Sequence, residues 1–438
     1  MKRELRADLA IIGAGSGGLS VAAGAAQLGL SVVLFEQGEM GGDCLNFGCV
    51  PSKALIAAAA RGWDFARAMA HVRSTIETIA PVDSQERFEG LGVTVIREAA
   101  RFADRRTVES DSVRVRARKI VIAAGSRPKV PPIPGLEEAS YFTNETIFDL
   151  KALPKTLLVI GGGPIGLELG QAFARLGSKV TILEADQILQ REDPDLSAVV
   201  LEQLKLDGVA LRQNARIKTV ERGPVLVATG RAPNVEGLNL EAAGVAYDKT
   251  GIRTDRSLRT TNRRVYAIGD ITGRPAFTHA AGAHAALFVR RALFASPVNV
   301  ETLVVPRVTY TEPELAVVGL TETEARARHG DAIRVIVQSF EHNDRAQTEA
   351  DTRGFGKLIT DRKGRILGAA IVGKDAGDLI QPFVLAMSAG MKLSKLAGYI
   401  APYPTRGEIV KRLAGQWYSP ILFAPRTRRL VSLLKRLA

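Results

Sequence analysis

The chain has 438 residues, a length that suits about three globular domains. Hydrophobic residues make up 46% and charged residues 24%, and neither an apolar run of about eighteen residues nor an N-terminal signal segment is present, so a cytoplasmic protein is expected. The net charge of +13 is spread along the chain without a nucleic-acid recognition motif, so no nucleic-acid partner is expected.

An internal repeat organises the first half of the chain. Residues 8–36 and residues 156–184 each predict an apolar strand, a glycine turn, a small-residue helix and a second strand that ends in a glutamate. Each copy contains the pattern GxGxxG, and its glutamate lies 23 residues after the first glycine. The residues concerned are Gly13, Gly15, Gly18 and Glu36 in the first copy and Gly161, Gly163, Gly166 and Glu184 in the second.

This spacing is typical of a unit that binds a dinucleotide. The first glycine allows a tight turn, the second lets the backbone approach a pyrophosphate, and the third lets the helix pack closely on the strand. The phosphates lie at the positive N-terminus of the helix, and the glutamate accepts hydrogen bonds from ribose hydroxyls. Two copies therefore predict two dinucleotide sites. At the second site Glu184 repels a 2′-phosphate, so NADH is favoured over NADPH, although nearby Arg191 could compensate.

The chain has only two cysteines, Cys44 and Cys49, which lie between the two copies of the repeat. So few thiols exclude a structural disulfide framework. No further cysteine and no histidine lies within twenty residues of the pair, so no metal site is predicted here. Two isolated cysteines in a large cytosolic chain more often carry redox chemistry or have no role.

Each repeat is closed by an apolar strand that ends in small residues and a glycine, at Gly125 and at Gly230. A further strand, VYAIGDI, ends at Gly269 and Asp270. An aspartate at a strand end can hydrogen-bond a hydroxylated ligand chain, and an ordinary turn aspartate is the alternative. Beside two nucleotide-binding units, the ligand-binding interpretation is favoured.

From about residue 301 the pattern becomes that of an α+β domain. Residues 303–319 and 355–372 alternate like antiparallel strands, with DRKGR as a hairpin turn, and helices are expected near 376–395 and 405–415. At the end of the chain, a helix is predicted to carry an apolar face among arginines and lysines. That face consists of Leu430, Leu433, Leu434 and Leu437. A surface or dimer-packing helix is the favoured interpretation, and weak contact with a membrane surface is the alternative.

The segment GGDCLNFGCVPSKAL, residues 41–55, resembles the active-site helix of the class I pyridine nucleotide–disulfide oxidoreductases, which include lipoamide dehydrogenase, glutathione reductase and mercuric reductase. The resemblance covers nearly the whole chain. It implies an α/β fold with two Rossmann-like dinucleotide-binding domains and a C-terminal α+β dimerisation domain. The expected ranges are 1–150 for the FAD-binding domain, 151–262 for a shortened NAD(P)-binding domain, 263–300 for a return to the FAD-binding or central domain, 301–418 for the interface domain and 419–438 for a basic tail.

The resemblance also implies roles for individual residues. Cys49 is the thiol next to the flavin and Cys44 the one that exchanges with the acceptor, while Lys53 lies beside the flavin with Glu168 as its ion-pair partner. The implied cofactors are FAD and NADH, with NADPH as the alternative, and the implied assembly is a homodimer. The candidate cofactor-binding residues are Gly13, Gly15, Gly18, Glu36, Gly42, Lys53, Gly125, Gly161, Gly163, Gly166, Glu184, Gly230 and Asp270.

One departure from the family concerns proton transfer. In the segment IAPYPTRGEIV, Tyr403 stands where the disulfide reductases have their acid/base histidine, while Glu408 is in its expected place. A free tyrosine has a pKa of about 10 against about 6.5 for histidine, so it is a poor proton shuttle near neutral pH. Tyr403 and Glu408 remain the candidate acid/base residues, but efficient lipoamide or glutathione reduction is not expected. Mercuric reductases also have a tyrosine near this place, yet they bind the metal through an extra C-terminal cysteine pair that this chain lacks.

A second departure is the length of the second repeat. From Gly13 to Gly125 the first spans 112 residues, whereas from Gly161 to Gly230 the second spans 69. About thirty residues of the family's second domain are therefore missing, which predicts a weakened nicotinamide domain or an exposed sheet edge.

The sequence therefore favours an oxidoreductase that passes electrons from NAD(P)H through FAD to the Cys44–Cys49 disulfide and on to an acceptor. The expected partners are a nicotinamide nucleotide and a disulfide or metal-ion acceptor. Two alternatives stay open. One is an NADH:acceptor reductase, or diaphorase, in which the dithiol is marginal, and the other is a non-catalytic flavoprotein.

Overall fold

A computed structural model of the chain describes residues 2–217, 219–220 and 223–435. Packing divides the chain into two units, residues 1–185 with 212–303, and residues 186–211 with 304–438. Residues 186–211, which lie in the predicted nicotinamide domain, thus pack with the C-terminal residues. The predicted domain ranges otherwise stay a prediction.

The elements up to residue 303 are a mixture of strands and helices. The strands are β1 (Arg3–Ile12), β2 (Val32–Phe35), β3 (Val93–Ile96), β4 (Arg101–Asp104), β5 (Thr107–Glu109), β6 (Val113–Ile122), β7 (Ser126–Pro128), β8 (Tyr141–Phe142), β9 (Thr156–Ile160), β10 (Lys179–Leu183), β11 (Ala210–Arg212), β12 (Val225–Val227), β13 (Arg231–Pro233), β14 (Tyr247–Asp248), β15 (Gly251–Ile252) and β16 (Val265–Ala267). The helices are α1 (Ser16–Gln27), α2 (Gly42–Asn46), α3 (Cys49–Ala60), α4 (Phe65–Ile79), α5 (Gln85–Gly90), α6 (Pro164–Arg175), α7 (Pro194–Leu206), α8 (Leu240–Ala243) and α9 (Thr278–Phe288).

The first repeat forms one end of a sheet with the order β3-β2-β1-β6-β5-β4, in which β16 also pairs with β6. β1 is parallel to both β2 and β6, and Leu9 to Ile12 are buried, as expected for a strand covered on both faces. α1 buries Val21, Ala22 and Ala25 against this sheet. The N-terminus of α1 therefore lies at the carboxyl ends of the parallel strands, where α/β folds bind ligands.

The second repeat forms a smaller sheet in which the first strand again lies between two parallel strands. β9 is parallel to β10 and to β12, and β8 pairs with the outer side of β12. α6 buries every residue from Gly166 to Phe173. The predicted strand–turn–helix–strand repeat is confirmed in both copies.

After residue 303 the chain forms an antiparallel sheet with helices. The strands are β17 (Arg307–Thr309), β18 (Glu314–Gly319), β19 (Ile333–Ser339), β20 (Phe355–Asp361) and β21 (Ile366–Gly373), in the order β17-β18-β21-β20-β19. The helices are α10 (Glu322–His329), α11 (Asp344–Thr348), α12 (Ala376–Leu379), α13 (Gln381–Ser388), α14 (Leu393–Gly398), α15 (Glu408–Leu422) and α16 (Pro425–Leu434). The predicted hairpin joins β20 to β21, whereas β19 was not predicted from the sequence.

A buried lysine explains why residues 186–211 pack with this second unit. Lys357 on β20 is buried, and its Nζ lies 3.4 Å from Asp193, 2.7 Å from Asp195 and 3.1 Å from Glu322. Asp193 also accepts the backbone N–H of Glu322 at 2.9 Å, at the start of α10. Because a buried charge needs close partners, this cluster fixes the start of α7 beside β20 and α10.

The C-terminal helix α16 differs from the other helices of this unit, since none of its residues is buried. Leu430, Leu433 and Leu434 of the predicted apolar face are exposed, and Leu437 lies outside the described residues. No helix in the described part of the chain is long and apolar enough to cross a membrane.

Candidate active site

The first glycine turn forms an open cradle at the N-terminus of α1. Gly13 has a φ of +104°, and a Cβ there would overlap the carbonyl oxygen of Ala123. A Cβ on Gly18 would overlap the carbonyl oxygen of Gly13, whereas a Cβ on Gly15 would meet nothing within 4 Å. The first and third glycines are thus required by close packing, and the second faces free space at the helix N-terminus. That space suits the pyrophosphate of a dinucleotide.

The second glycine turn repeats this geometry. Gly161 has a φ of +112° and a Cβ there would overlap Ala228, while Gly166 packs on Gly161 in the same way. Gly163 again has nothing within 4 Å of a Cβ position. The residues of both turns therefore fit a dinucleotide, which is the arrangement that FAD and a nicotinamide nucleotide require.

The two glutamates lie at the ends of their strands, next to these turns. Glu36 Oε2 accepts the backbone N–H of Ala14 at 2.6 Å, and Glu184 Oε2 accepts that of Gly162 at 2.7 Å. The matching hydrogen bonds hold each carboxylate at the mouth of its cradle. Binding of ribose hydroxyls by these carboxylates stays a prediction.

The segment with the two cysteines is folded against the first cradle. A Cβ on Gly42 would lie 2.7 Å from the Cα of Gly15, so the two backbones are in direct contact. The helix is interrupted at Gly48, which places Cys44 in α2 and makes Cys49 the first residue of α3. Both thiols are free, and Cys49 is the more exposed of the two. A thiolate at a helix N-terminus is stabilised by the helix dipole.

The electrostatics distinguish the two thiols. A hydrogen bond from Cys44 lowers the pKa of Cys49 to about 6, with Thr278 and Lys53 acting in the same direction and burial and Asp43 opposing them. Thr278, the first residue of α9, has its hydroxyl 3.5 Å from Cys49 Sγ. The same Cys44–Cys49 hydrogen bond, together with burial, raises the pKa of Cys44. In the reduced pair, Cys49 is therefore the thiolate and Cys44 the thiol.

Lys53 and Glu168, which the sequence places 115 residues apart, form an ion pair of 2.6 Å. Lys53 lies one turn after Cys49 on α3, and Glu168 is a buried residue of α6. The pair joins the cysteine helix to the dinucleotide helix of the second repeat. It fixes the lysine ammonium close to the thiolate, where positive charge favours the ionised sulfur.

Asp270 is held between the two repeats at the end of β16. Its Oδ2 accepts the hydroxyl of Ser126 at 2.7 Å and lies 4.0 Å from Arg231 Nε. The preceding Gly269 donates its N–H to Nδ1 of His284 at 3.1 Å. Burial, with a smaller effect of Arg274, lowers the pKa of His284 to about 4, so the imidazole stays neutral and accepts this bond.

A cavity of about 390 Å³ opens beside Cys44. Its wall is mostly apolar, and Asp83 and Arg87 add one charge of each sign. Burial raises the pKa of Asp83, with Arg87 opposing it. Cys44 lines this cavity, whereas Cys49 does not. A small acceptor in the cavity would therefore meet Cys44.

This geometry agrees with the comparisons with known proteins. The family described as pyridine nucleotide-disulphide oxidoreductase matches residues 7–285, and the dimerisation domain of the same description matches residues 305–414. The chain belongs to this family. Its members are FAD-containing flavoproteins that use NAD(P)H, so the predicted family, fold class and cofactors are confirmed.

Similar oxidoreductases come from several bacteria. A mercuric reductase of Streptomyces lividans is 35% identical over 94% of this chain and 96% of its own. A dihydrolipoyl dehydrogenase of Geobacillus stearothermophilus is also 35% identical, over 94% of this chain and 96% of its own. The solved structure of the HOCl-induced flavoprotein disulfide reductase RclA from Escherichia coli has a TM-score of 0.87 at 31% identity and covers 93% of this chain and 99% of RclA. RclA has also been solved as a Cu(II) complex.

The candidate acid/base residues of this oxidoreductase are not paired with each other. Tyr403 is exposed, and its hydroxyl donates to Asp344 at 2.9 Å, which raises the pKa of the tyrosine. Glu408 begins α15, and its buried Oε2 has no hydrogen-bond partner among the residues that the structure describes. The phenol thus stays protonated at neutral pH.

Several residues of the site were missed by sequence reasoning. Asp43, next to Cys44, lies 3.2 Å from Arg231 and accepts a hydrogen bond from Asn144 at 3.1 Å. Arg231 also donates to the hydroxyl of Ser126 at 2.7 Å. This network connects the cysteine segment to Asp270. The only signals in the sequence were the position of Asp43 beside a cysteine and that of Arg231 after a predicted strand-end glycine.

Proposed function

We propose that this oxidoreductase passes two electrons from a nicotinamide nucleotide, through FAD, to a disulfide between Cys44 and Cys49 and then to an acceptor in the cavity beside Cys44. The observation that carries the proposal is the asymmetry of the thiol pair. Cys49 is the favoured thiolate at the start of α3, and Cys44 is the protonated thiol that lines the cavity. One sulfur suits electron transfer from the cofactor and the other suits contact with the acceptor.

Bound FAD supplies the carrier that accepts hydride from the nicotinamide and passes an electron pair to the disulfide. In that step the S–S bond breaks, Cys49 leaves as a thiolate and Cys44 Sγ takes up one proton. Lys53 stabilises the charge on Cys49, and Glu168 holds the lysine in place at 2.6 Å. When the acceptor takes the two electrons, the S–S bond forms again and the proton on Cys44 is released. Cys49 Sγ gives its electron pair to the S–S bond and cannot keep that proton, so the proton leaves Cys44 to solvent through the cavity that Cys44 lines.

The acceptor that this site suits best is a thiol-reactive metal ion. Reduction of a disulfide acceptor needs a group that exchanges protons with the leaving thiol. Tyr403 is a poor candidate, because its bond to Asp344 holds the phenol in the protonated form. Reduction of a metal ion needs no proton donor. Mercuric reductases among the relatives support this class of acceptor, and RclA has been solved as a Cu(II) complex.

Different observations support the choice of nucleotide and the assembly. Glu184 at the mouth of the second cradle favours NADH, because a carboxylate repels a 2′-phosphate. The matched dimerisation domain supports a homodimer, so light scattering is expected to give twice the chain mass of 46.9 kDa. A higher kcat/KM with NADPH than with NADH would refute the assignment of the nucleotide.

The experiment that tests the proposal is an anaerobic titration of the holoenzyme with NADH, followed by steady-state turnover with Hg(II), Cu(II), lipoamide and glutathione disulfide. A long-wavelength thiolate–flavin charge-transfer band is expected after two electrons, and turnover is expected with a metal ion but not with the disulfides. Cys44→Ser should abolish that turnover. If it persists at the wild-type rate, the dithiol is marginal and the enzyme is a diaphorase.

A further inference from the structure

The C-terminal helix α16 presents an apolar side to solvent instead of to its own protein. Leu430, Val431, Leu433 and Leu434 are 54%, 58%, 57% and 53% exposed. A single exposed leucine is ordinary, but an amphipathic helix with its whole apolar side uncovered indicates a binding surface. Residues 421–423, at the end of α15 and two positions before α16, add two more strongly exposed apolar side chains, Leu422 and Phe423, at 57% and 66%.

The charged residues in the last thirty positions of the chain are all basic. Residues 409–438 contain seven lysines and arginines and no aspartate or glutamate. With about 100° between successive residues of a helix, Leu430, Leu433 and Leu434 share one side of α16 while Arg428 and Lys435 lie on the opposite side. An apolar side with leucines and a basic side is the pattern of helices that lie in the plane of an anionic membrane surface.

The helix α16 lies outside the part of the chain that the dimerisation domain matches. The dimerisation domain matches residues 305–414, so α16 and residues 421–423 lie beyond the matched part. The charge also argues against a second copy as the occupant, because the same basic helix on both partners would repel. An anionic lipid surface complements both the leucines and the arginines.

We propose that α16, with the exposed residues 421–423, binds an anionic lipid bilayer as an in-plane amphipathic helix and places this oxidoreductase at the membrane surface. Each basic residue near such a surface strengthens binding about fivefold, and salt weakens that effect within a Debye length. Loss of the charges of Arg428 and Arg429 should therefore weaken binding by about 25-fold at low salt. The proposal does not depend on the nature of the acceptor.

The test is flotation of the full-length holoenzyme with vesicles of phosphatidylcholine alone and of phosphatidylcholine mixed with phosphatidylglycerol. Flotation is expected only with the mixed vesicles, and it should decrease as salt is added. Two double variants should remove it: Arg428→Glu with Arg429→Glu, and Leu430→Glu with Leu434→Glu. The matched control is Arg362→Glu with Lys363→Glu in the exposed β20–β21 hairpin, which makes the same charge change and should leave flotation intact.

Three results would overturn the proposal. One is failure of the wild-type protein to float with either kind of vesicle. Another is equal flotation with both kinds, which would remove the role of the charges. The third is a change from dimer to monomer in the Leu430→Glu, Leu434→Glu variant, measured by light scattering, which would show that the helix packs between copies. Diaphorase activity with NADH should match the wild type in every variant, so a folding defect would be visible separately.

Discussion

The hydrogen bond from Cys44 should determine the ionisation of Cys49. It is the largest of the effects that lower the pKa of Cys49 to about 6, and Cys44→Ala removes it. Thr278 and Lys53 remain in that variant, so the pKa should rise by about one to two units toward the ordinary thiol value of about 8.5. Cys44→Ser keeps a hydroxyl donor at the same place, and its Cys49 should stay close to the wild-type value.

The size of the effect follows from the titration curve. With a pKa of about 6, Cys49 carries about ten thiolates for each thiol at pH 7. A rise of two units would leave about one thiolate for ten thiols. The rate of alkylation at one pH underestimates this change, because a thiolate of higher pKa is also a stronger nucleophile. The midpoint of the pH–rate profile is therefore the quantity to measure.

The assay is alkylation of the reduced protein with iodoacetamide across a pH series, for Cys44→Ala and for Cys44→Ser. In the holoenzyme, the pH dependence of the charge-transfer band gives an independent midpoint for the same thiolate. If Cys44→Ala keeps a midpoint near that of Cys44→Ser in both measurements, the helix N-terminus and Lys53 set the pKa. The asymmetry on which the proposed function rests would then have another cause.

Three further changes test other parts of the site. Glu168→Gln leaves Lys53 without its carboxylate, so urea denaturation should show a loss of about 2 kcal/mol in the free energy of unfolding. Arg231→Gln removes the cation that is paired with Asp43, and the free charge of Asp43 then disfavours the Cys49 thiolate. The midpoint of the alkylation profile of Cys49 should therefore rise. Because burial depresses the pKa of His284 to about 4, the unfolded chain binds more protons below pH 6.5, and stability should fall by up to roughly 3 kcal/mol as the pH decreases from 6.5 to 4. His284→Gln, which cannot titrate, should flatten that part of the stability profile.

The two nucleotide cradles could be predicted from the sequence because their determinants are local. Gly18 is required by its contact with Gly13 inside one strand–turn–helix unit, and Gly166 by the same contact with Gly161. Gly13 and Gly161 have a positive φ, which favours glycine in a tight turn, although the carbonyl groups that exclude a Cβ there come from segments distant in the sequence. The hydrophobic pattern of β1 and the spacing to Glu36 lie within the same short segment. Residue types and spacing were therefore sufficient for this part of the fold.

The rest of the site depends on contacts between distant segments, which spacing does not reveal. His284 is one of two histidines in the alanine-rich helix α9, and only the fold brings its Nδ1 to the N–H of Gly269. Arg231 reaches Asp43 across 188 positions of the chain, from a strand that pairs with β7. Lys53 and Glu168 were placed together only because the family resemblance implied their pairing. β19 was missed because its alternation of apolar and polar residues is weak.

The structure shows which strand and which residues pack around the short connection of the second repeat. Its short connection predicted a weakened nicotinamide domain or an exposed sheet edge. β12 is not the edge, because β8 pairs with it through Tyr141 and Phe142 and is the outer strand of the sheet. The backbone N–H of Val220, in the connection itself, donates to Pro134 at 2.9 Å, and Val220 is buried with Leu136 in a small core. A two-residue strand offers little edge for pairing with another chain. The glycine turn, α6 and Glu184 keep the geometry of the first repeat. The shortening should therefore affect the stability of this sheet before it affects the binding of a nucleotide.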